Sequence, residues 1–319
     1  MQEIVAGIDV GGTTVHIGLV TRGGGVFAHA CLYTKEYEKP EDLALACAEK
    51  VKVALYDTGG EYVLKGVGIG APNGNFYKGT IEYAPNLQWY GVIPFAQLVQ
   101  QEMGVPCLLT NDANAAALGE MMFGAAKELK EFIFVTLGTG LGSGFVTNGQ
   151  LVYGHDGFAG ELGHVIVVPN GRLCGCGRTG CLETYCSAPG LVKTYREIHL
   201  RHNPVLRLEK EWEGITSKTI ADRARDGEPE ALEAFAFTAE ILGMALANAV
   251  AYTSPRAIFL FGGLAAAGDL LFPAVRRHME ENLLNIYKGK VDILPSGLPE
   301  NDAALLGAAS LIWNQHHSG

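Results

Sequence analysis

The chain has 319 residues, of which 48% are hydrophobic and 18% charged, and it contains no low-complexity stretch. This composition is typical of a globular protein with one large domain or two modest ones, and it excludes a disordered chain. The formal net charge of -10 argues against general nucleic-acid binding, because such binding needs a basic surface. It does not exclude an anionic small molecule, since a few backbone N–H groups can hold a phosphate locally.

The first residues, the apolar stretches and the cysteines do not indicate a secreted or membrane protein. The apolar run behind Glu3 is too short and wrongly flanked for a signal peptide. The most apolar stretches, Ile241–Ala251 and Ile258–Ala267, are interrupted by Asn or Gly and are too short for a membrane span. The odd count of 7 cysteines indicates reduced thiols with one metal or redox cluster. We therefore expect a cytoplasmic protein that binds neither nucleic acid nor membrane.

Hydrophobic periodicity predicts two successive α/β blocks, each beginning with strands that flank a turn rich in glycine and threonine. The elements predicted for the first block are strands Ile4–Val10, Val15–Thr21 and Val26–Thr34, helix Glu41–Tyr56, strand Val67–Gly70, helix Phe95–Met103, strand Pro106–Thr110 and helix Ala113–Phe123. Those of the second block are strands Phe132–Leu137 and Ser143–Thr147, helices Tyr185–His199, Ile220–Arg225 and Pro229–Thr253, strand Ala257–Phe261, helix Leu270–Leu283, strand Val291–Leu294 and helix Asp302–Trp313. This order predicts a duplicated α/β unit with a cleft between the copies. We place an N-terminal lobe at residues 1–125 plus 302–319 and a C-terminal lobe at residues 126–301.

Three glycine-rich turns follow predicted strands. The first joins two strands, which is the wrong context for a dinucleotide fingerprint, and it lacks the lysine of a Walker P-loop. It could bind phosphate through backbone N–H groups, or it could be a tight hairpin. The second is denser in glycine than a hairpin requires, and the third could admit a flat ligand such as adenine or be an ordinary strand-to-helix turn. The residues of the three turns are Gly11, Gly12, Thr13 and Thr14; Gly138, Thr139, Gly140 and Gly142; and Gly262 and Gly263.

Three cysteines, Cys174, Cys176 and Cys181, lie close together on a glycine-rich loop. Soft thiolate ligands at this spacing favour zinc, and the alternatives are a redox cluster or unligated thiols. A closed zinc site needs a fourth ligand, for which Cys186 and His164 are the local candidates.

Two acidic positions follow predicted strands. Asn111-Asp112 ends an apolar strand and starts a helix, so the plainer interpretation is a helix N-cap. A carboxylate at the carboxyl end of a strand is also where α/β proteins place catalytic groups. Asp9 could hold Mg²⁺ directly or through water, because hard cations prefer oxygen ligands.

Four segments together resemble the ROK sugar kinases, and the resemblance extends from Gly7 to the last helix. The segments are Asp9–Thr14 (DVGGTT), Leu137–Gly144 (LGTGLGSG), Gly157–His164 (GFAGELGH) and Cys174–Glu183 (CGCGRTGCLE). The cysteine segment is the specific one, since glycine turns occur in many families. The resemblance implies an α/β, actin-like (ribonuclease H-like) ATPase fold with two lobes around an interlobe cleft, and a homodimer.

The resemblance also implies a hexose kinase that uses ATP and Mg²⁺ and carries one structural zinc ion. It makes His164 the fourth zinc ligand and Asp112 the base that accepts the proton of the sugar C6 hydroxyl. The implied sugar-binding residues are Asn86, Asn111, Asp112, Glu161, His164 and Glu183. Asp9 and the glycine turns would bind the nucleotide with Mg²⁺, and we expect the helix N-terminus to keep Asp112 ionised. One departure is Asn73, where the family usually has glycine; asparagine tolerates a left-handed backbone, so we expect the turn to survive.

Glucose is the favoured sugar, because Pro85–Trp89 (PNLQW) and Ser187–Gly190 (SAPG) resemble glucokinase-like members. N-acetylglucosamine, N-acetylmannosamine and allose are alternatives, since one side chain near C2 or C3 could switch the preference. A sugar-responsive repressor would need a helix-turn-helix module, for which the residues before Asp9 leave no room. A catalytically silent sugar-binding regulator is the remaining alternative, and the set of Asp9, glycine turns and Asp112 favours catalysis over it.

Overall fold

A computed structural model describes residues 1–202, 212 and 214–315 of the chain. The chain divides into two compact units. Unit 1 comprises Met1–Leu129, Gln150–Gly160 and Gly297–Gly319, and unit 2 comprises Lys130–Gly149 and Glu161–Ser296. The predicted lobes also included residues 203–211, 213 and 316–319, which lie outside the described residues.

Strands and helices alternate along most of the chain. The elements up to residue 129 are β1 (Gln2–Val10), β2 (Thr14–Thr21), β3 (Val26–Tyr33), α1 (Pro40–Asp57), β4 (Tyr62–Ala71), β5 (Gly74–Asn75), β6 (Thr80–Glu82), β7 (Val92–Ile93), α2 (Phe95–Met103), β8 (Cys107–Asn111) and α3 (Asp112–Met122). Those that follow are β9 (Phe132–Leu137), β10 (Leu141–Thr147), β11 (Gln150–Leu151), α4 (Glu183–Cys186), α5 (Ala188–His202), α6 (Ser217–Arg225), α7 (Pro229–Thr253), β12 (Ala257–Phe261), α8 (Phe272–Asn282), β13 (Asp292–Pro295) and α9 (Ala303–Gln315). Short 3₁₀ helices occur at Thr34–Glu36, Leu162–His164 and Ala265–Leu270.

The main sheet of unit 1 has the strand order β3-β2-β1-β4-β8. β2 is antiparallel to both β1 and β3, whereas β4 is parallel to both β1 and β8. On one face, Ile4, Ala6 and Ile8 of β1 share a hydrophobic core with Leu43 and Val51 of α1. This alternation is the period-2 pattern that buries one face of a strand. A second, small antiparallel sheet in the same unit has the order β5-β6-β7.

The other face of this sheet packs directly against α9, because glycines take the place of side chains there. A Cβ atom on Gly7 would lie 2.4 Å from the carbonyl oxygen of Leu305, and one on Gly68 would lie 1.8 Å from that of Ala308. Such distances are far below van der Waals contact, so only glycine permits this approach of helix and strand. The glycines of β1 and β4 therefore set the depth at which α9 lies on the sheet.

The sheet of unit 2 contains the strand order β10-β9-β12-β13. β9 is antiparallel to β10 and parallel to β12, and β12 is parallel to β13. Both the order and the directions repeat those of β2-β1-β4-β8 in unit 1, so the predicted duplication of an α/β unit is present in the topology. Residues of β9, β12 and β13 form one core with α5 to α8.

Helix α7 is the longest helix among the described residues, with 25 residues and a mean hydropathy of 1.6 over its most apolar window. Length and composition alone would allow it to cross a membrane, but 67% of that window is buried inside the protein. Core helices of globular proteins have the same properties, and Ala234, Leu242 and Leu246 of α7 belong to the core of unit 2.

The largest differences between the structure and the predicted elements concern β4, the strands β5 to β7 and the helices α4 and α5. β4 begins at Tyr62, five residues before the predicted strand Val67–Gly70, and the short strands β5 to β7 were not predicted. The predicted helix Tyr185–His199 is instead two helices, α4 and α5, separated at Ser187. Ser187 is extended (φ -98°, ψ 171°), and its Oγ accepts the N–H of Gly190 at 3.1 Å. This hydroxyl caps α5, so the helix begins anew after Ser187.

The segment Gln150–Gly160 belongs to unit 1, whereas we predicted it within the C-terminal lobe. Asn75 Nδ2 donates to the carbonyl oxygen of Asp156 at 2.7 Å, and the rings of Phe76 and Tyr153 stack with centroids 4.2 Å apart. These contacts attach the segment to the β5–β6 region, which local sequence pattern does not reveal. The chain also passes from one unit to the other at 129/130 and 296/297, whereas the predicted boundaries were 125/126 and 301/302.

Candidate functional site

The carboxyl ends of β1, β4 and β8 meet at one edge of the unit 1 sheet. Asp9 is paired with Gly70, and Gly70 with Thr110, so Asn111 and Asp112 follow directly at the same edge. A Cβ atom on Gly70 would lie 3.6 Å from Asp9 Oδ1 and 3.8 Å from Asp112 Cα. Asp9 and Asp112 thus flank the bare backbone of Gly70, and the parallel register brings the two predicted carboxylates together.

Asn111 and Asp112 form the N-terminus of α3. Oδ1 of Asn111, the N-cap residue, accepts the N–H groups of Ala113 at 2.8 Å and Asn114 at 3.1 Å. Asp112 Oδ1 also accepts the Ala113 N–H, at 2.8 Å. Solvent reaches the Asp112 side chain, yet burial by the surrounding protein raises its pKa, and the Ala113 N–H opposes that shift. The backbone N–H at the helix N-terminus thus favours the ionised form of Asp112, as expected, but desolvation has the larger effect on its pKa.

Asp9 is partly buried at the end of β1. Burial, together with the nearby charge of Asp112, raises the pKa of Asp9 to about 7. Two carboxylates that repel each other become stable in their ionised forms when a cation binds beside them. Since carboxylate oxygens are also the ligands that Mg²⁺ prefers, the donor set at this edge fits that cation.

The first glycine turn, Gly11–Thr14, connects β1 to β2 as a hairpin loop and lies against Asn86. The N–H of Gly11 donates to the carbonyl oxygen of Thr14 at 2.9 Å, and Thr34 Oγ1 donates to that of Gly11 at 2.7 Å. A Cβ atom on Gly12 would lie 2.6 Å from the carbonyl oxygen of Asn86. The hairpin interpretation is therefore correct for the backbone, and the glycine additionally allows Asn86 to approach the turn.

The segment that carries Asn86 is held in place through Trp89, which lies three residues further along the chain. Trp89 is buried, and its Nε1 donates to the carbonyl oxygens of Tyr37 and Glu38, both at 3.1 Å.

Asn73 has the left-handed backbone expected for it (φ 49°), and its Nδ2 donates to the carbonyl oxygen of Glu82 at 3.0 Å. The turn at the end of β4 therefore tolerates asparagine in place of glycine.

His164, Cys174, Cys176 and Cys181 form a cluster in unit 2 whose ligand atoms all lie within 4.8 Å of one another. The Sγ atoms of Cys176 and Cys181 are 3.7 Å apart, and Cys174 Sγ is 3.7 Å from His164 Nδ1. Zn–S bonds of about 2.3 Å in a tetrahedron place the sulfur atoms roughly 3.8 Å apart, so these four residues fit a zinc ion.

The thiols near this cluster divide into ligands and a core residue. Cys186 Sγ is buried and donates to the carbonyl oxygen of Thr238 at 3.6 Å, so of the two candidates for a fourth ligand only His164 lies in the cluster. Burial raises the pKa of the Cys176 thiol, but hydrogen bonds from Arg178 and the neighbouring thiols outweigh burial and lower this pKa to about 6. A thiolate is the form that binds a metal ion. All seven cysteines are free thiols.

Glu161 and His164 lie at the two ends of a short 3₁₀ helix next to β10. The N–H of His164 donates to the carbonyl oxygen of Glu161 at 3.1 Å, and that of Leu162 donates to Ser143 Oγ at 3.2 Å. A Cβ atom on Gly163 would lie 2.1 Å from the carbonyl oxygen of Leu141. The segment is therefore packed tightly against the start of β10.

Glu183 contacts both the cysteine cluster and the second glycine turn. Its Oε2 accepts the N–H of Leu141 at 3.0 Å, and its Oε1 lies 3.9 Å from Cys174 Sγ. A Cβ atom on Gly140 would lie 2.5 Å from Oε2. The turn has a second anchor, because the N–H of Ala188 donates to the carbonyl oxygen of Gly138 at 2.8 Å.

The third glycine turn lies at the same edge of the unit 2 sheet as the second. Phe261, the last residue of β12, is paired with Thr136 of β9. Gly262 has φ 99°, and a Cβ atom there would lie 2.9 Å from the carbonyl oxygen of Leu137. Glycine is needed here both for the positive φ and for the close approach.

The structure therefore groups the predicted site residues into two sets. Unit 1 holds Asp9, Gly11, Gly12, Thr13, Thr14, Asn86, Asn111 and Asp112, and unit 2 holds Gly138, Thr139, Gly140, Gly142, Glu161, His164, Cys174, Cys176, Cys181, Glu183, Gly262 and Gly263. Sequence reasoning missed Gly70, Thr34 and Ser143, which support these sets. Of these three residues, only Gly70 had a recognisable signal in the sequence, because it is a glycine at the end of a predicted strand.

Comparison with known proteins adds independent evidence. The ROK family profile matches residues 5–315. Glucokinase from Thermotoga maritima is 34% identical over 309 residues, which are 96% of this chain and 96% of that protein. The xylose repressor of Caldicellulosiruptor bescii is 31% identical over 319 residues, which are 97% of this chain and 77% of the repressor.

A solved structure gives the same result for the fold. The crystal structure of a ROK family glucokinase from Streptomyces griseus in complex with glucose and AMPPNP superposes with a TM-score of 0.77 and 33% identity, covering 97% of this chain and 98% of that one. The α/β units described above thus have the predicted actin-like ATPase fold. The match along nearly the whole chain confirms the resemblance inferred from the four sequence segments: the chain belongs to the ROK family.

Proposed function

We propose that this protein is an ATP-dependent hexose kinase that transfers the γ-phosphoryl group to the C6 hydroxyl of an aldohexose, with glucose as the first candidate. The observation that carries the proposal is the position of Asp112 at the N-terminus of α3, at the same sheet edge as Asp9. The glucokinase relatives support the reaction class, and the Streptomyces griseus complex with glucose and AMPPNP supports the two ligands.

In this proposal Asp112 accepts the proton of the C6 hydroxyl as the hydroxyl oxygen attacks the γ-phosphorus. The bond from the γ-phosphorus to the bridging β–γ oxygen breaks, and ADP leaves. A base of this kind contributes on the order of 10²–10⁴-fold to the rate. The raised pKa of Asp112 makes its carboxylate a better proton acceptor than an ordinary aspartate. Asn111 would donate from Nδ2 to a sugar hydroxyl, because its Oδ1 already accepts two backbone N–H groups.

The glycine turns would bind the nucleotide, with Asp9 holding Mg²⁺. When bound, this cation would neutralise charge on the phosphates during transfer. The turns Gly11–Thr14 and Gly138–Gly142 would offer backbone N–H groups to phosphate oxygens, and Gly262-Gly263 would leave room for adenine. The positive φ of Gly262 supports the assignment of that turn to adenine.

We propose that the cysteine–histidine cluster binds zinc in a structural role, since four protein ligands leave no open position for water. His164 and the cysteines would fix the loop that leads to Glu183 and hold the imidazole of His164 in one orientation. Asn86, Glu161, His164 and Glu183 would complete the contacts to the sugar hydroxyls.

Glucose is preferred to N-acetylglucosamine, N-acetylmannosamine and allose because several glucokinase relatives are at least 33% identical along nearly the whole chain. The free thiols support action in the reducing cytoplasm. As the family resemblance implies, we propose a homodimer, which sedimentation of the purified protein would test.

A sugar-binding regulator is the second candidate, favoured by the 31% identity to a xylose repressor. Such a protein would bind sugar without transferring phosphate. The pair of Asp9 and Asp112 at one sheet edge supports the kinase, because sugar binding alone does not need a second carboxylate with a raised pKa beside the first.

The proposal is tested with Asp112→Asn, which keeps an oxygen acceptor for the Ala113 N–H but removes the base. We expect sugar-dependent ADP release to fall by at least about 10²-fold while the sugar Kd stays within a few fold. Asp57→Asn makes the same charge change at the end of α1, before β4 begins, and should retain wild-type turnover. Wild-type turnover in Asp112→Asn would contradict the assigned base.

A further inference from the structure

Glu183 is placed to support the nucleotide turn. Family resemblance assigns this residue to the sugar, but its Oε2 accepts the N–H of Leu141 at 3.0 Å. A hydrogen bond from a backbone N–H to an ionised carboxylate is stronger than one between neutral groups. Gly140 provides the necessary space, because a Cβ atom there would lie 2.5 Å from Oε2.

Glu183 also links the turn to the cysteine–histidine cluster. Glu183 follows Cys181 by two residues, and its Oε1 lies 3.9 Å from Cys174 Sγ. The start of β10, which follows the turn, is also held by the segment of His164, through the bond from the Leu162 N–H to Ser143 Oγ. Two segments that carry or adjoin cluster residues therefore hold the start of β10.

We propose that Glu183 is a positioning residue for the nucleotide, which fixes the Gly138–Gly142 turn through the Leu141 N–H and thereby couples the phosphate-binding turn to the cysteine–histidine cluster. The ligand concerned is the phosphate chain of a nucleoside di- or triphosphate. This inference rests on the proposed kinase function, and it predicts that Glu183 affects nucleotide affinity even when no sugar is present.

The test measures MgADP binding to the full-length protein by calorimetry without sugar, after metal analysis has shown that each variant retains zinc. In Glu183→Ala we expect the MgADP Kd to rise about tenfold, since the charge-assisted hydrogen bond that orders the turn is lost. Glu183→Gln keeps an oxygen acceptor at the same chain length but loses the charge, so its Kd should lie between those of wild type and Glu183→Ala. An unchanged Kd in Glu183→Ala, or equal losses in both variants, would overturn the proposal.

Asn86→Ala is the control at a residue whose side-chain amide we propose to contact the sugar. It keeps the Cβ atom and carbonyl oxygen that Gly12 packs against and removes only the amide. We expect a weaker sugar Kd and an unchanged MgADP Kd. If Asn86→Ala and Glu183→Ala weaken MgADP binding equally, the assigned role of Glu183 is contradicted.

Gly140→Ala tests the same contact without removing the carboxylate. The added Cβ atom would lie 2.5 Å from Glu183 Oε2 and would push this oxygen away, so the MgADP Kd should rise. In the double variant Gly140→Ala/Glu183→Ala no carboxylate remains to be displaced, and the combined loss should be clearly smaller than the sum of the two single losses. An additive loss would count against the contact.

The inference and the proposed function fail differently. Absence of sugar-dependent ADP release by the wild-type protein contradicts the kinase. An active wild-type kinase whose MgADP affinity does not depend on residue 183 contradicts only the role given to Glu183. Wild-type protein that does not bind MgADP would contradict both.

Discussion

Gly70→Ala is a sharp test of the carboxylate pair. The new Cβ atom would lie 3.5 Å from Ala115 Cβ, 3.6 Å from Asp9 Oδ1 and 3.8 Å from Asp112 Cα, all ordinary contact distances. The fold should accept the methyl group, and loss of a strand glycine even favours folding by about 0.5–1 kcal/mol. The same methyl group would occupy the space beside Asp9 Oδ1 that water or a cation needs. We expect an unchanged or slightly higher Tm with kcat/KM lower by roughly 10–100-fold.

Gly68→Ala is the matched control, two residues earlier on the same face of β4. Its Cβ atom would lie 1.8 Å from the carbonyl oxygen of Ala308, so α9 would have to move. Such overpacking should cost about 3 kcal/mol or more and lower Tm by roughly 6–12 °C. Thermal melts and steady-state ADP release measure both variants. Wild-type kcat/KM in Gly70→Ala, or equal melting temperatures for the two variants, would refute this account of the sheet edge.

Two further substitutions test the supports of the site. Cys181→Ser should contain less zinc by metal analysis and have a lower Tm, because a serine hydroxyl is a poor zinc ligand. The control Cys31→Ser, at an exposed cysteine, should retain both zinc content and Tm. Equal metal content in the two variants would contradict the assigned ligands. Trp89→Phe removes the N–H donated to Tyr37 and Glu38 and should raise the KM for sugar several-fold with the KM for ATP unchanged. A larger effect on the KM for ATP would show that this segment does not serve the sugar.

Local sequence pattern predicted most of the fold because most elements bury one face. The predicted bounds of α2, α7, β9 and β12 agree with the structure, since each is a long periodic or continuously apolar run. β5 to β7 contain only two or three residues each, which is too few for a period to be visible. The break at Ser187 depends on one hydroxyl that caps α5, and periodicity on either side of it does not change.

Parts of the candidate site were predictable because their residues are close in sequence. The three cysteines and His164 are brought together by a short loop, and Asn111 caps the helix that it precedes. The contact of Glu183 with Leu141 joins residues 42 positions apart, so no local signal reveals it. The raised pKa of Asp112 likewise depends on burial by distant parts of the chain, whereas the helix N-terminus that opposes it is visible in the sequence.

The most direct test of the proposed function is to identify the product formed from each hexose. The zinc-loaded protein is incubated with MgATP and, separately, glucose, N-acetylglucosamine, N-acetylmannosamine and allose, and phosphorus NMR locates the transferred phosphate. We predict one phosphoryl group on the C6 oxygen of the sugar for each ADP released, fastest with glucose. Absence of sugar-dependent ADP release with every hexose, or phosphate on another carbon, would contradict the account of Asp112 as the base of a hexose 6-kinase.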